Sequence, residues 1–200
     1  MNRLIVSSFI VLLLQLFVTN SAIAQNSTGR IQPPRTSQEQ GFNHRNTIPK
    51  NFKTIIIAGN DKDRARAELI VDIYKVLESN PSIENVRKYV SDNYIQHSSA
   101  LPDGPQPLAM LFSYSAAKFS NAAIDVHKII VVGDWAMAHV NFRNLETNDP
   151  RDLGVAAVDM YLFGPDGKIE EHWDVLQSVP THAPNPNGMF LKLFKDNKKD

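Results

Sequence analysis

Five side chains able to take or give a proton, His97, His139, Asp159, His172 and Asp174, fall on segments whose residue types predict extended chain. A carboxylate withdrawn from water has its pKa raised, and a neighbouring imidazole or second acid tunes it further. Such a group can remove a proton next to a carbonyl, or return one, near neutral pH. Two acids and a histidine suffice for enolisation without a metal or a nucleotide.

Strand register decides whether these residues can meet. Gly164-Pro165-Asp166-Gly167 reads as a turn between Val155–Phe163 and Lys168–Gln177. An even loop there would set Asp159 opposite His172 and Ala157 opposite Asp174. Directly paired residues share a side of the sheet, which groups Asp159, Tyr161, His172 and Asp174. The other side then carries Val158, Met160, Leu162, Trp173 and Val175. An odd loop or a bulge would break the grouping. The polar side has two readings. It is either the wet or dimer-facing side, with the Trp173 side as core, or the lining of a hollow in a curved sheet. The greater apolarity of the Trp173 side favours the first.

Other chemistries find less support. The chain has no Gly-rich dinucleotide loop, phosphate loop, G-x-S-x-G elbow or H-E-x-x-H. His97 adjoins Ser98 and Ser99, but no elbow presents either serine. His97, His139 and His172 with an aspartate have zinc-ligand types, yet their spacing does not assemble them. Neither metal nor cofactor is expected. His127, among Val126, Ile129 and Ile130, reads as an edge or satisfied core histidine, and Trp135 and Trp173 as packing residues.

The elements that must hold the site follow from periodicity. Ala65, Leu69, Ile73, Val76 and Leu77 recur at helical spacing. Asn80-Pro81 reads as the start of a short second helix burying Ile83, Val86 and Val90. Tyr94–His97 reads as extended chain before a turn at Pro102-Asp103-Gly104. Leu108, Leu111, Phe112 and Phe119 predict a third helix. Ile124–Val132 and Trp135–Phe142 flank Gly133-Asp134, a hairpin signal. Helices first and antiparallel strands afterwards indicate an α+β domain, assigned to residues 51–190.

The N-terminus carries Arg3, an apolar run from Leu4 to Val18, and Ala22-Ile23-Ala24. These are the parts of a secretory signal peptide, residues 1–24. The run is shorter than the roughly 20 residues of a spanning helix, so no integral membrane segment is expected after cleavage. The protein is expected to be exported, periplasmic or secreted. Residues 25–50, rich in polar residues with Pro33-Pro34, read as a disordered linker, and residues 191–200 as a basic tail. The chain has no cysteine, so packing must hold an exported fold without disulfides. Twenty-one basic residues balance 21 acidic ones, leaving no field to draw nucleic acid or an anionic membrane.

Several segments together resemble one known family. Tyr94-Ile95-Gln96-His97, Pro102-Asp103-Gly104, Val158-Asp159-Met160-Tyr161 and Asp166-Gly167-Lys168-Ile169 fall in the order found in SnoaL-like proteins of the nuclear transport factor 2-like superfamily. Glu171-His172-Trp173-Asp174-Val175-Leu176-Gln177 and Asn185-Pro186-Asn187-Gly188-Met189-Phe190 follow. The resemblance covers about residues 61–190, with 166–177 the most specific part. It implies a cone: a strongly curved, mostly antiparallel sheet around a pocket, about three N-terminal helices over its mouth, and homodimers formed through the sheet. Relatives include polyketide cyclases that close a ring by intramolecular aldol condensation, using an acidic residue and no cofactor. By position, the resemblance implies Asp174 as the acid/base, Asp159 and His97 as its pocket partners, and His172, His139 and Tyr161 as ligand-binding residues. It favours the hollow over the wet face. The expected ligand is an apolar, carbonyl-bearing small molecule, and the expected activity that of a cyclase, isomerase or lyase. A non-catalytic ligand-binding or protein-interaction module on the same fold is the alternative.

Overall fold

The computed structural model describes residues 53–185 and 188–190. The expected signal peptide, linker and basic tail lie outside the described residues. The first helix, α1 (Asp61–Ser79), starts at Asn60, whose side-chain oxygen accepts from the Asp63 N–H at 2.9 Å. Asp61 and Asp63 in the first turn suit the positive end of the helix dipole. Its buried stripe is Arg66, Ala67, Ile70, Ile73, Tyr74 and Leu77, one step round from the expected one. Ala65 is exposed, and Leu69 and Val76 sit at the margins.

Asn80 closes α1 rather than opening its successor, its N–H bonding Val76 O at 2.9 Å. Ser82 caps the single-turn α2 (Ile83–Val86). Val90 is buried as expected, but as the first residue of β2 (Val90–Gln96). The third helix, α3 (Pro105–Lys118), begins with proline at a position where its missing N–H is not needed. Among the described residues no helix is long and apolar enough to cross a membrane.

Four strands match the sequence reading to within a residue at each end: β3 (Ala123–Val132), β4 (Trp135–Arg143), β5 (Val155–Phe163) and β6 (Ile169–Ser178). One strand was not foreseen. β1 (Ile55–Ala58) is four residues of uninterrupted Ile and Ala, too short to show an alternation. The six strands form one curved sheet in the order β1-β3-β4-β5-β6-β2. Its centre is antiparallel, while β1 on β3 and β2 on β6 are parallel. The domain is α+β, with a mostly antiparallel sheet and few helices.

The β5–β6 register is shifted by two residues from the even-loop expectation. Phe163 pairs with Ile169, so five residues rather than four lie between them, and Leu162 pairs with Glu171, leaving Glu170 as a bulge. An odd loop and a one-residue bulge each reverse the faces; together they cancel. Asp159 therefore opposes Asp174, and Tyr161 opposes His172, with all four still on one side.

That side is the buried one. Asp159, Tyr161 and Phe163 join Ile129, Val131, Ala136, Ala138 and Val140 beneath α1. The expectation from apolarity, that the Trp173 side is the core, is overturned. Val175 on that side is 66% exposed, Trp135 50% and Met137 43%. Apolar content did not mark the interior because both sides are apolar and only one is covered by helices. Trp135 is a surface residue, and Trp173 lies over it at 5.4 Å between ring centroids.

Candidate functional site

The site is assembled by alternation on three strands and one turn of α1. On β5, Asp159 and Tyr161 are two apart and point the same way; on β6, His172 and Asp174 do likewise. β2 runs parallel to β6 with Gln96 beside His172. Tyr74 reaches down from α1, its hydroxyl donating to Asp159 Oδ2. The Tyr161 hydroxyl lies 2.5 Å from that of Tyr74 and 3.4 Å from Asp159 Oδ2. A carboxylate only accepts, so Tyr74 spends its proton on Asp159 and accepts from Tyr161. Burial and the Asp159 charge hold both phenols well above their ordinary pKa. They are permanent donors.

Asp159 is 2% exposed. Its second oxygen, Oδ1, faces His172 Nε2 at 3.7 Å, near enough to attract but too far for a hydrogen bond. The opposite nitrogen, Nδ1, lies 2.8 Å from Gln96 Oε1. That oxygen also accepts the Ser98 N–H at 3.0 Å, while Gln96 Nε2 donates to the Tyr94 hydroxyl at 3.1 Å. The amide orientation is thereby fixed, so His172 Nδ1 must carry a proton and Nε2 is the end presented to the two acids.

Asp174 is half-buried, and burial raises its pKa. The Ser98 hydroxyl and His172 pull it back down, and the charge of Asp159 pushes it up again. The pair divides the work a proton-transfer site needs. Asp159 is locked by phenols, and Asp174 is a reachable carboxyl with enhanced proton affinity.

Two expected site residues are not here. His97 follows Gln96 on the chain and so points to the other side of the sheet. Its ring stacks on Trp173 at 4.3 Å and 3°, with Nε2 2.8 Å from Glu171 Oε2. It is not a pocket partner of Asp174. His139 pairs with Val158 on the outer side and lies against Phe190, at 5.2 Å, and His127, at 6.0 Å. It does not line the inner face, so the set His97, His139 and His172 does not converge. A groove of about 560 Å³ lies elsewhere, lined by Lys62, Arg66, Asp134 and Phe163 among others. Arg66 is paired there with Asp134 at 2.6 Å.

Four residues of the inner network escaped the sequence reading: Tyr74, Tyr94, Gln96 and Ser98. Tyr94 and Gln96 alternate along β2, a period-two signal visible in the sequence once that segment is taken as a strand, and Ser98 follows two residues beyond its end. Tyr74 falls four residues after Ile70 and three before Leu77, on the buried stripe of α1.

The family profile of the SnoaL-like polyketide cyclases matches residues 68–183, more than half of the chain. No curated protein sequence matches. Among solved structures, a Bacillus cereus protein provisionally named a polyketide cyclase is similar with a TM-score of 0.50 and 19% identity, over 62% of this chain and 86% of that one. An NTF2-like protein of unknown function from Mesorhizobium loti is similar with a TM-score of 0.48 and 18% identity, over 62% and 100% of the two chains. TsrD from Streptomyces laurentii gives 0.48 and 19%, over 57% and 90%. The profile match, running from within α1 to beyond the end of β6, settles the assignment: the chain belongs to the SnoaL-like polyketide cyclase family.

Proposed function

We propose that the inner face carries acid–base chemistry next to the carbonyl of an apolar small molecule, an aldol cyclisation or an isomerisation. The observation that supports this reading is the direct pairing of Asp159 with Asp174 beside His172 on the buried side of the sheet. Asp174 Oδ takes a proton from the carbon next to the carbonyl. The C–H electron pair becomes the C=C bond of the enolate, and the carbonyl π pair moves to oxygen. His172, in its protonated form, donates from Nε2 to that oxygen, and Asp159, held by Tyr74, balances the imidazolium charge. The enol carbon then attacks a second carbonyl carbon, whose oxygen takes the proton held by Asp174, or a conjugated enol takes that proton at another carbon. In either case the enol O–H returns its proton to His172 Nε2 as the first carbonyl re-forms. Such positioned proton transfers contribute about 10²–10⁴-fold.

The outer face supports a second element of the proposal. Val132, Trp135, Met137 and Val175 form an exposed apolar side of the sheet, of the kind that marks an interaction surface, and a homodimer formed through it is our reading. The N-terminal sequence supports an exported, periplasmic or secreted location.

Deuterium exchange tests the chemistry. A panel of apolar cyclic ketones and β-diketones in D₂O, followed by proton NMR, should lose α-hydrogens faster with the protein present. Asp174→Asn should reduce the catalysed rate about 100-fold or more, while His97→Ala leaves it unchanged. Exchange retained in Asp174→Asn would remove Asp174 from the role given to it.

A further inference from the structure

The zinc donors suggested by sequence do not converge, but a different set does. Asp159, His172 and Asp174 each bring one ligand atom within 4.8 Å of the others. The geometry around them prepares these atoms for more than a closed ion pair. His172 donates from Nδ1 to Gln96 Oε1, an acceptor whose orientation is fixed by Ser98 N–H and the Tyr94 hydroxyl. The neutral ring therefore turns the lone pair of Nε2 toward two carboxylates. A hydrogen-bonded Nδ1–H behind a free Nε2 is how metal-ligating histidines are oriented. Asp159 is held in the same way, with Oδ2 fixed by Tyr74 and Oδ1 turned toward His172. The 3.7 Å between Oδ1 and Nε2 is too long for a hydrogen bond. It is close to the separation of two ligand atoms that each lie roughly 2.0–2.2 Å from one ion.

We propose that Asp159, His172 and Asp174 form a binding site for a single divalent transition-metal ion. One imidazole nitrogen and two carboxylate oxygens suit Zn²⁺ or Mn²⁺ better than the all-oxygen preference of Mg²⁺ or Ca²⁺. Asp159 and His172 are the anchored ligands, and half-buried Asp174 closes onto the ion from the open side. Gln96 is a positioning residue that acts through His172. The inference goes beyond the acid–base reading. An ion bound to Asp174 lowers the basicity of its carboxylate, so occupancy by metal opposes proton abstraction by that group.

The test uses the metal alone. Full-length protein stripped with a chelator is titrated with ZnCl₂ and with MnCl₂ by calorimetry at neutral pH, without substrate. The outcome is thus independent of whether the acid–base reading holds. One ion per chain should bind. His172→Ala and Asp174→Asn should each weaken it by about 100-fold or more, and Gln96→Leu by about 10–100-fold. His97→Ala and His139→Ala should bind as the parent does. Asp159 is left intact because its loss threatens the core, and circular dichroism confirms folding of each variant. No binding tighter than about 1 mM, about −4 kcal/mol, would overturn the proposal. So would binding unchanged in folded His172→Ala, or binding abolished by His97→Ala, which would move the ion to the outer face.

Discussion

Asp159 and Asp174 face each other directly across β5 and β6, on the side of the sheet that packs beneath α1. Like charges placed directly opposite one another destabilise a strand pair in ordinary settings. Here the arrangement is offset rather than relieved. Tyr74 satisfies Asp159, the His172 imidazole lies 3.7 Å from the other Asp159 oxygen, and Asp174 is left with a raised pKa. The proton affinity of Asp174 comes first from its burial and only secondarily from the charge of Asp159 across the β5–β6 pair.

Removing that charge should stabilise the fold. In the unfolded chain Asp174 ionises near its ordinary 3.8, whereas burial raises its folded value. Below 3.8 both states are protonated and the residue contributes no penalty. As pH rises from there through the folded value, the unfolded chain ionises first and the native state loses relative stability. Asp174→Asn should therefore have a higher urea midpoint than the parent at pH 7 and the same midpoint at pH 3. A lower midpoint at pH 7 would mean that the ionised carboxylate is held by favourable partners.

The two phenols should differ in worth. Tyr74 donates to a carboxylate, and hydrogen bonds to charged groups contribute about 1.5–3 kcal/mol; Tyr161 donates to the neutral Tyr74 hydroxyl, a bond of about 0.5–1.5 kcal/mol. Tyr74→Phe should destabilise the domain more than Tyr161→Phe in urea unfolding at pH 7. The reverse order would show that Asp159 depends on Tyr161 and that the chain of donors runs the other way.

How much of this was legible beforehand depends on which physical signal carried it. The β3–β4 and β5–β6 hairpins announced themselves through Gly133-Asp134 and Gly164–Gly167 and alternating chains. The common face of Asp159, Tyr161, His172 and Asp174 was also foreseen, but for an incomplete reason. Nothing in local composition reveals that a five-residue connection and the Glu170 bulge cancel. β1 was missed because four consecutive apolar residues carry no period. His97 was drawn into the site by its place in a family motif, although one residue of alternation separates it from Gln96 and turns it outward. Which face was buried could not come from apolarity, because helices over one side, rather than composition, decide it.

His127 gives the domain a sensitivity to acid. It is the extra residue where the β3–β4 register slips between Val126 and Lys128, and Phe190 stacks on it at 4.3 Å. Burial lowers its pKa from 6.5 to about 4; Lys128, His139 and Arg143 add to the lowering, and Asp125 opposes it. A depressed histidine works in the opposite sense to Asp174. The unfolded chain takes up the proton first, so its contribution is complete above pH 6.5, falls as pH drops toward about 4, and is constant below that. In that window one such group gives a slope approaching ~1.4 kcal/mol per pH unit. His127→Phe, which keeps an aromatic ring under Phe190, should flatten this part of the stability profile. The imidazole proton signals of His127 should titrate near pH 4 by NMR. A midpoint near 6.5 would mean that water reaches the ring, and the slope would then have to come from another group.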